Sequence, residues 1–270
     1  MFLLNEAQID TVLKDLLEVH LYDFTFYSRE SFKRRINRLY KLEKYSSFQD
    51  FRIRLRSDEA YIDHFIDRIT VNVTEMFRDH SFFKKLRTAV IPDLASRPLI
   101  RVWCAGCSTG EEVYSVAMML HEAGLLNRSE ISASDINPRV LNKARKGYVP
   151  SSLIYRYANN YTLSGGEKDF FSYFTPTEDG HKISDIISSR IDFFEHSLAK
   201  GAYFHKYDLI LCRNVLIYFD RELQDYALQT FDTNLSPNSY IALGEKETLK
   251  FSRIAKDFEQ LDPEKIWRKK

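Results

Sequence analysis

The sequence changes character at residue 99. Residues 1–70 contain neither Gly nor Pro, and no β-rich run occurs among them. Apolar side chains there recur at helical spacing: Ile9, Val12, Leu13, Leu16 and Leu17; Phe32, Ile36, Leu39 and Tyr40; Tyr61, Ile62, Phe65, Ile66 and Ile69. Asn5 and Asp10 are candidate caps for the first helix, and Ser57-Asp58 for the last. From residue 99 onward, short apolar runs alternate with amphipathic stretches. Strands are expected at Leu99–Cys104, Glu130–Ser134, Ile191–Phe194, Tyr207–Cys212 and Ser239–Leu243. Helices are expected over Glu112–Glu122, Asn137–Lys146 and about Arg221–Leu235. Strands alternating with helices require right-handed crossovers and a mostly parallel sheet. An aromatic-rich stretch at 155–190, with turn signals at Gly165-Gly166, Thr175-Pro176 and Asp179-Gly180, interrupts this rhythm and reads as an insertion with a helix and a small hairpin. The expected organisation is therefore α/β: a helical unit at 1–70, a linker and first helix at 71–98, and an α/β domain at 99–270.

Charge and cysteine content narrow the function classes. Lys and Arg number 39 against 38 Asp and Glu, a balance that argues against a general polyanion binder. Three Cys cannot make a disulfide framework, so a reducing compartment is the default. No apolar run approaches the roughly 18 residues needed to cross a bilayer. The opening Met1–Glu6 lacks the basic and long apolar regions of a signal peptide. A cytoplasmic protein, without membrane insertion, is the expectation.

The stretch Val102–Glu112 bears the most chemistry. A strand runs into Ala105-Gly106-Cys107-Ser108-Thr109-Gly110 and then opens a helix at Glu111-Glu112. Small residues there let a ligand approach the backbone, and such ligands sit at the carboxyl ends of the strands. The spacing matches neither a dinucleotide fingerprint nor a P-loop. Two carboxylates stand where phosphate sites present bare N–H groups, which repels anions and suits an amine or a ribose. S-adenosylmethionine (SAM) carries both, plus a sulfonium. An ordinary turn with solvated glutamates is the plain alternative.

Three further stretches point to the same rim. Asp135 ends the second strand, where an acidic residue can accept ribose hydroxyls or cap the next helix. Asn214 falls at the end of the fourth strand, and Tyr218 lies four residues on, at the lip of a site or packed as an aromatic. Asn72–Arg78 lies between the helical and α/β parts and can fold over a pocket or serve as a linker. Basic charge is concentrated at 29–56, with ten Lys and Arg against three Asp and Glu. Lys33, Arg34, Arg38 and Lys41 fall mostly along one helix face, either solvated or docking an acidic partner. Cys104 and Cys107 form a lone C-x-x-C, a weak signal for metal or redox chemistry, and the seven His show no ligand spacing, so no metal site is expected.

Taken together, these stretches resemble the CheR-type chemotaxis receptor methyltransferases, SAM-dependent protein-glutamate O-methyltransferases. The matching text is Thr70-Val71-Asn72-Val73-Thr74-Glu75-Met76-Phe77-Arg78-Asp79, then Ala105–Glu112, Ala133-Ser134-Asp135-Ile136-Asn137, and Cys212–Asp220. The resemblance implies an all-helical N-terminal domain followed by a class I SAM-dependent methyltransferase (Rossmann-like) domain with a small inserted β subdomain. It implies cofactor contacts from Asn72, Thr74, Arg78, Gly106, Glu112, Asp135, Asn214 and Val215. Arg78 would orient the substrate, and Tyr218 would be the active-site tyrosine. The product would be S-adenosyl-L-homocysteine. The substrate would be glutamate on a methyl-accepting chemoreceptor, an acidic helical coiled coil docked by Arg34, Arg35, Arg38 and Lys41.

The sequence also departs from that pattern. Val113 replaces the usual Pro after G-E-E. Ser197-Leu198 stands at the usual Asn-Leu adenine contact. Gly244-Glu245-Lys246-Glu247 replaces G-H-S-E, and the hairpin at 175–180 looks short, implying an enzyme that needs no C-terminal pentapeptide on the receptor. A nucleic-acid methyltransferase is disfavoured because Arg213-Asn214-Val215-Leu216 replaces the N/D-P-P-Y/F turn of base methyltransferases. A non-catalytic SAM-binding adaptor is disfavoured by the presence of both Arg78 and Tyr218.

Overall fold

The computed structural model describes residues 3–201 and 205–270. Met1 and Phe2, part of the stretch inspected for a targeting signal, lie outside the described residues. Four helices open the chain: α1 (Glu6–His20), α2 (Arg29–Glu43), α3 (Phe48–Ser57) and α4 (Glu59–Ile69). Asn5 caps α1 through a reciprocal pair with Gln8, at 2.9 and 3.0 Å, so two orphan N–H groups are satisfied together. Asp58 caps α4 through the Tyr61 N–H. Asp10 does not cap: it lies inside α1, and its carboxylate accepts from Arg29 at 2.6 Å. Ser57 does not cap either; its hydroxyl donates to the Ile53 carbonyl. The apolar stripes of the four helices meet in one core around Ile9, Leu16, Ile36, Phe51 and Phe65.

Much of the basic run is consumed inside this bundle. Arg29 and Lys33 pair with Glu6, and Arg52 and Arg56 pair with Asp15, whose side chain is only 1% exposed. A buried carboxylate needs such partners, so these four cations hold helices together.

After the 70–79 segment, α5 (His80–Lys85) continues through one π-helical stretch into α6 (Ile91–Leu94). Strand β1 (Ile100–Ala105) then enters a seven-stranded sheet of order β6-β2-β1-β7-β8-β10-β9. Its parallel members are β2 (Ser129–Asp135), β6 (Ile191–Glu195), β7 (Tyr207–Cys212) and β8 (Leu235–Leu243). The helices α7 (Glu111–Glu122), α8 (Pro138–Lys146) and α11 (Arg221–Asn234) make the crossovers. Chain order reverses between β1 and β7, which puts the ligand crevice at their carboxyl ends. Two strands escape the sequence reading: β9 (Phe258–Gln260) and β10 (Ile266–Lys269), which pair antiparallel at one edge. They are short and mixed in polarity, so no alternation stands out.

A separate three-stranded antiparallel sheet has the order β3-β5-β4, from Tyr148–Pro150, Gly180–Ile183 and Phe174–Pro176. Its β3 and the start of α9 (Ser151–Leu163) precede residue 155, ahead of the aromatic cluster that announced the insertion. One more short helix, α10 (Asp185–Ser188), leads back to β6. Tyr157, Tyr161, Phe170 and Tyr173 are buried beneath the small sheet, and Tyr161 and Tyr173 both donate to Glu122 of α7. Among the described residues no helix is long and apolar enough to cross a membrane.

The helical bundle closes over the rim of the large sheet. The Ser28 N–H donates to the Tyr218 carbonyl at 2.7 Å, the Asp220 N–H donates to the Phe26 carbonyl at 2.9 Å, and Tyr27 packs edge-on against Phe219. On the other side the buried Asn137 amide donates to Asp67 and Thr70, which end α4. The rim is thus roofed by helices, leaving a cleft between them.

Candidate active site

The floor of the cleft is the turn after β1. The Gly106 and Cys107 N–H groups both donate to the Ser134 carbonyl, at 2.8 and 2.9 Å, which bends the chain across the end of β2. Gly106 has φ +77°, and a Cβ there would stand 2.4 Å from Val215 Cγ2, so only glycine fits. Ser108, also left-handed at φ 51°, donates its N–H to Asp135 at 2.8 Å, while its buried hydroxyl has no hydrogen-bond partner. A left-handed non-glycine backbone in the wall of a cleft is a mark of a ligand site.

Asp135 does not cap the following helix. Asn137 does, accepting the Arg139 N–H, and Asp135 accepts the Asn137 and Ser108 N–H groups, one on each oxygen. A carboxylate has about four lone-pair sites, so Asp135 keeps acceptor capacity for a hydroxyl donor. Burial pushes the Asp135 carboxyl above the ordinary carboxylate range, against the N–H donors that favour the anion.

Glu112 lines the cleft at the first turn of α7 but is not simply solvated. Arg213 donates to its Oε2 at 2.7 Å and, with its other terminal nitrogen, to Asp79 at 2.7 Å. The Arg213 side chain is 1% exposed and stacks 3.9 Å from the Phe82 ring centroid. Glu111 is bonded by the Thr109 hydroxyl, and burial raises its pKa.

The loop after β7 forms the opposite wall. Asn214 is left-handed at φ 62°. The buried Glu247 carboxylate accepts the N–H groups of Asn214, Val215, Ile217 and Gly244 at 3.0, 2.9, 3.3 and 2.6 Å. Neither Arg213 nor Glu247 is among the site residues the sequence points to. The signal for Glu247 is the glutamate that Gly244–Glu247 retains from G-H-S-E.

The roof comes from both parts of the chain. Asn72, Thr74 and Arg78 line the cleft, and the buried Met76 and Phe77 anchor their segment. The Phe77 N–H donates to Ser115 at 3.0 Å. Arg78 reaches the Val73 carbonyl at 3.4 Å, and the Asn72 amide lies 3.4 Å from Asp67. Tyr218 faces Arg35 of α2, whose guanidinium sits 5.8 Å from the ring centroid. Leu198 and Ile136 supply apolar wall. Ser197 does not line the cleft; it is buried, and its hydroxyl accepts the Ala199 N–H at 3.3 Å. Arg34, Arg35 and Arg38 line a neighbouring cavity, and Lys41 is exposed outside both. Cys104, Cys107 and Cys212 are buried, and burial pushes their thiols well up, so they are inert.

The cleft is open to solvent on one side. Its lining brings the carboxylates Glu75, Glu112 and Asp135 together with the guanidinium groups Arg35, Arg78 and Arg213. Residues 8–70 match the CheR methyltransferase all-alpha domain, and residues 72–265 match the CheR methyltransferase SAM binding domain. The chain belongs to the CheR methyltransferase family. Among its relatives, Cher3 of Pseudomonas putida is 39% identical over 98% of this chain and 99% of its own. The chemotaxis protein methyltransferases of Listeria innocua and Borreliella burgdorferi are 34% and 32% identical, over 84% and 80% of this chain and 84% and 79% of theirs.

The cleft fits the SAM of a CheR methyltransferase. The Asp135 carboxylate at the strand end suits a hydroxyl-rich nucleoside, Gly106 permits close approach, and Glu112 suits a cationic amine. SAM affinity is expected to weaken as pH falls through the raised pKa of Asp135, because protonation removes both charge and acceptors. Calorimetry at a series of falling pH values checks this. Asp135→Asn should bind roughly tenfold or more weakly, without that fall in affinity. A wild-type profile in the variant would assign the titration elsewhere.

Proposed function

We propose that this chain transfers the methyl group of SAM to glutamate side chains of chemoreceptors, in the cytoplasm, through the cleft between its helical and α/β parts. The observation that carries this is that one cleft gathers the carboxylates Glu112 and Asp135, suited to a sulfonium nucleoside, and the guanidinium groups Arg35 and Arg78, suited to a carboxylate. SAM supplies an electrophilic methyl group. With SAM bound, a glutamate oxygen held in line would take that methyl group, the new C–O bond replacing the C–S bond, to give a neutral ester and a neutral thioether. An exposed glutamate is already ionised at pH 7, since its pKa is about 4.3, so the protein has no proton to move. Its work is positioning and exclusion of water.

Within that scheme Asn72, Thr74, Asp135, Asn214 and Val215 hold the nucleoside and Glu112 its amine. Arg78 and Arg35 orient the incoming carboxylate, and Tyr218 lines its path. Arg34 and Arg38, which form no ion pair among the described residues, extend the cationic lining toward an acidic receptor helix. The link between β4 and β5, residues 177–179, is short, which supports receptor recognition without a pentapeptide tether.

The direct test is incubation with tritiated SAM and receptor-containing membranes, followed by base-labile methanol release. Labelling of RNA in place of receptor would overturn the assignment. Arg78→Ala is expected to lower kcat by well over ~10-fold, because a carboxylate without its orienting contact reaches the methyl group less often. Near-wild-type turnover would remove Arg78 from the mechanism.

A further inference from the structure

Beside the active-site cleft lies a second cavity. Five cations wall it: Arg34, Arg35 and Arg38 of α2, Arg68 of α4 and Lys143 of α8. Asp67 is the single carboxylate on that wall, and its partners are the neutral amides of Asn72 and Asn137. Arg35 and Asn72 line both cavities, so the two are contiguous. The cations of the same run that face α1 are paired with Glu6, Asp10 and Asp15. By contrast Arg34, Arg38, Arg68 and Lys143 form no ion pair among the described residues. Five cations from three helices against one carboxylate is unfavourable in the free protein, and an arriving anion relieves it.

We propose that this cavity is a second carboxylate subsite: it holds an acidic side chain of the substrate helix one or two turns from the glutamate being methylated. The proposal rests on the chemoreceptor reading and adds a rule to it. Residues three, four or seven apart share one helix face, so a helix that delivers one glutamate past Arg35 presents its neighbour to Arg68 and Lys143. The rim suits a protein helix: Leu42, 63% exposed, offers an aliphatic seat, and among the described residues no aromatic side chain lines the cavity for base stacking. One consequence is a charge-dependent order of reaction. Once a neighbouring glutamate is esterified it is neutral, and the remaining site becomes a poorer substrate.

The test uses fluorescein-labelled helical peptides carrying glutamates at i and i+4, with Gln or Lys at i+4 as controls, and a single-stranded RNA 12-mer as competitor. Wild-type protein with S-adenosyl-L-homocysteine should bind the Glu/Glu peptide about tenfold tighter than Glu/Gln. The double variant Arg68→Glu, Lys143→Glu should lose that preference and gain one for Glu/Lys, with SAM affinity unchanged in calorimetry. No preference in the wild type, a preference that survives the double variant, or RNA displacing the peptide at lower concentration would each overturn the subsite. Methyl transfer to the Glu/Gln peptide reports the chemistry separately. If it persists while the preference is absent, only the subsite fails. If no peptide is methylated while the preference holds, the catalytic reading fails and the anion subsite stands.

Discussion

Arg213→Met is expected to lower the melting temperature by about 10 °C and to abolish measurable SAM binding. The side chain lies at the junction of three segments that are remote in sequence: Asp79 before α5, Glu112 at the start of α7, and the loop after β7. It is 1% exposed on its own side, whereas the Glu112 side chain is 17% exposed. Removing the guanidinium leaves the Glu112 carboxylate, 17% exposed, without its cation, and frees Asp79, 34% exposed, to water. Breaking such a buried pair costs roughly 3–5 kcal/mol, and at this chain length ~1 kcal/mol moves the melting point by about 2–4 °C. Arg213→Lys should fall between, because an ammonium cannot bridge both partners and stack flat on Phe82. Differential scanning fluorimetry and calorimetry measure the two effects. A cycle with Glu112→Gln separates them: the double variant should regain much of the stability and none of the SAM affinity, since the unpaired charge is relieved and the lost amine contact is not. A melting point within a degree of wild type would show that water, not Arg213, neutralises Glu112.

The features legible in the sequence are the local ones. The Asn5 cap, the turn at 105–110 and the strand-ending Asp135 each depend on neighbours within a few positions, so residue types at fixed spacing expose them. Asp135 was read both as cap and as ligand holder; Asn137 takes the cap because its amide oxygen, two residues nearer the helix, reaches the Arg139 N–H. Arg213 was invisible for the opposite reason. Its partners are 101 and 134 positions away, and only the crossover of the sheet brings them together. The basic run shows the same limit. Helical spacing placed Lys33 with Arg34 and Arg38, yet packing against α1 consumes Lys33 and leaves the other two on a cavity wall. Arg68 and Lys143 join that wall from distant helices, and no count of charge along the chain announces them. Likewise β9 and β10 gain their strand character from pairing at an edge, not from their own alternation.

Glu247→Ala is expected to be the most damaging single change away from the reacting groups. One carboxylate accepts four N–H groups from two loops, those of Asn214, Val215 and Ile217 and that of Gly244. It is 5% exposed, so water cannot replace it. Each stranded buried donor costs about 1–3 kcal/mol, and even with partial relaxation the sum approaches the whole stability of a domain. Gly244 has no slack to offer, because a Cβ there would lie 2.8 Å from both the Asn214 nitrogen and the Glu247 carboxylate. Burial raises the Glu247 pKa against the four N–H donors, which favour the anion. Glu247→Gln is the informative variant. Its amide keeps one oxygen and turns an NH2 toward donors, so about half the contacts survive and the protein should fold with a lowered melting point. The left-handed Asn214 then loses its clamp, and the Val215 side chain no longer seats against Gly106. SAM affinity should fall by ~10-fold or more in calorimetry, with Glu247→Asp recovering part of it. A Gln variant that binds SAM as the wild type does would show that the loop keeps its shape without the anion, and that Glu247 serves stability only.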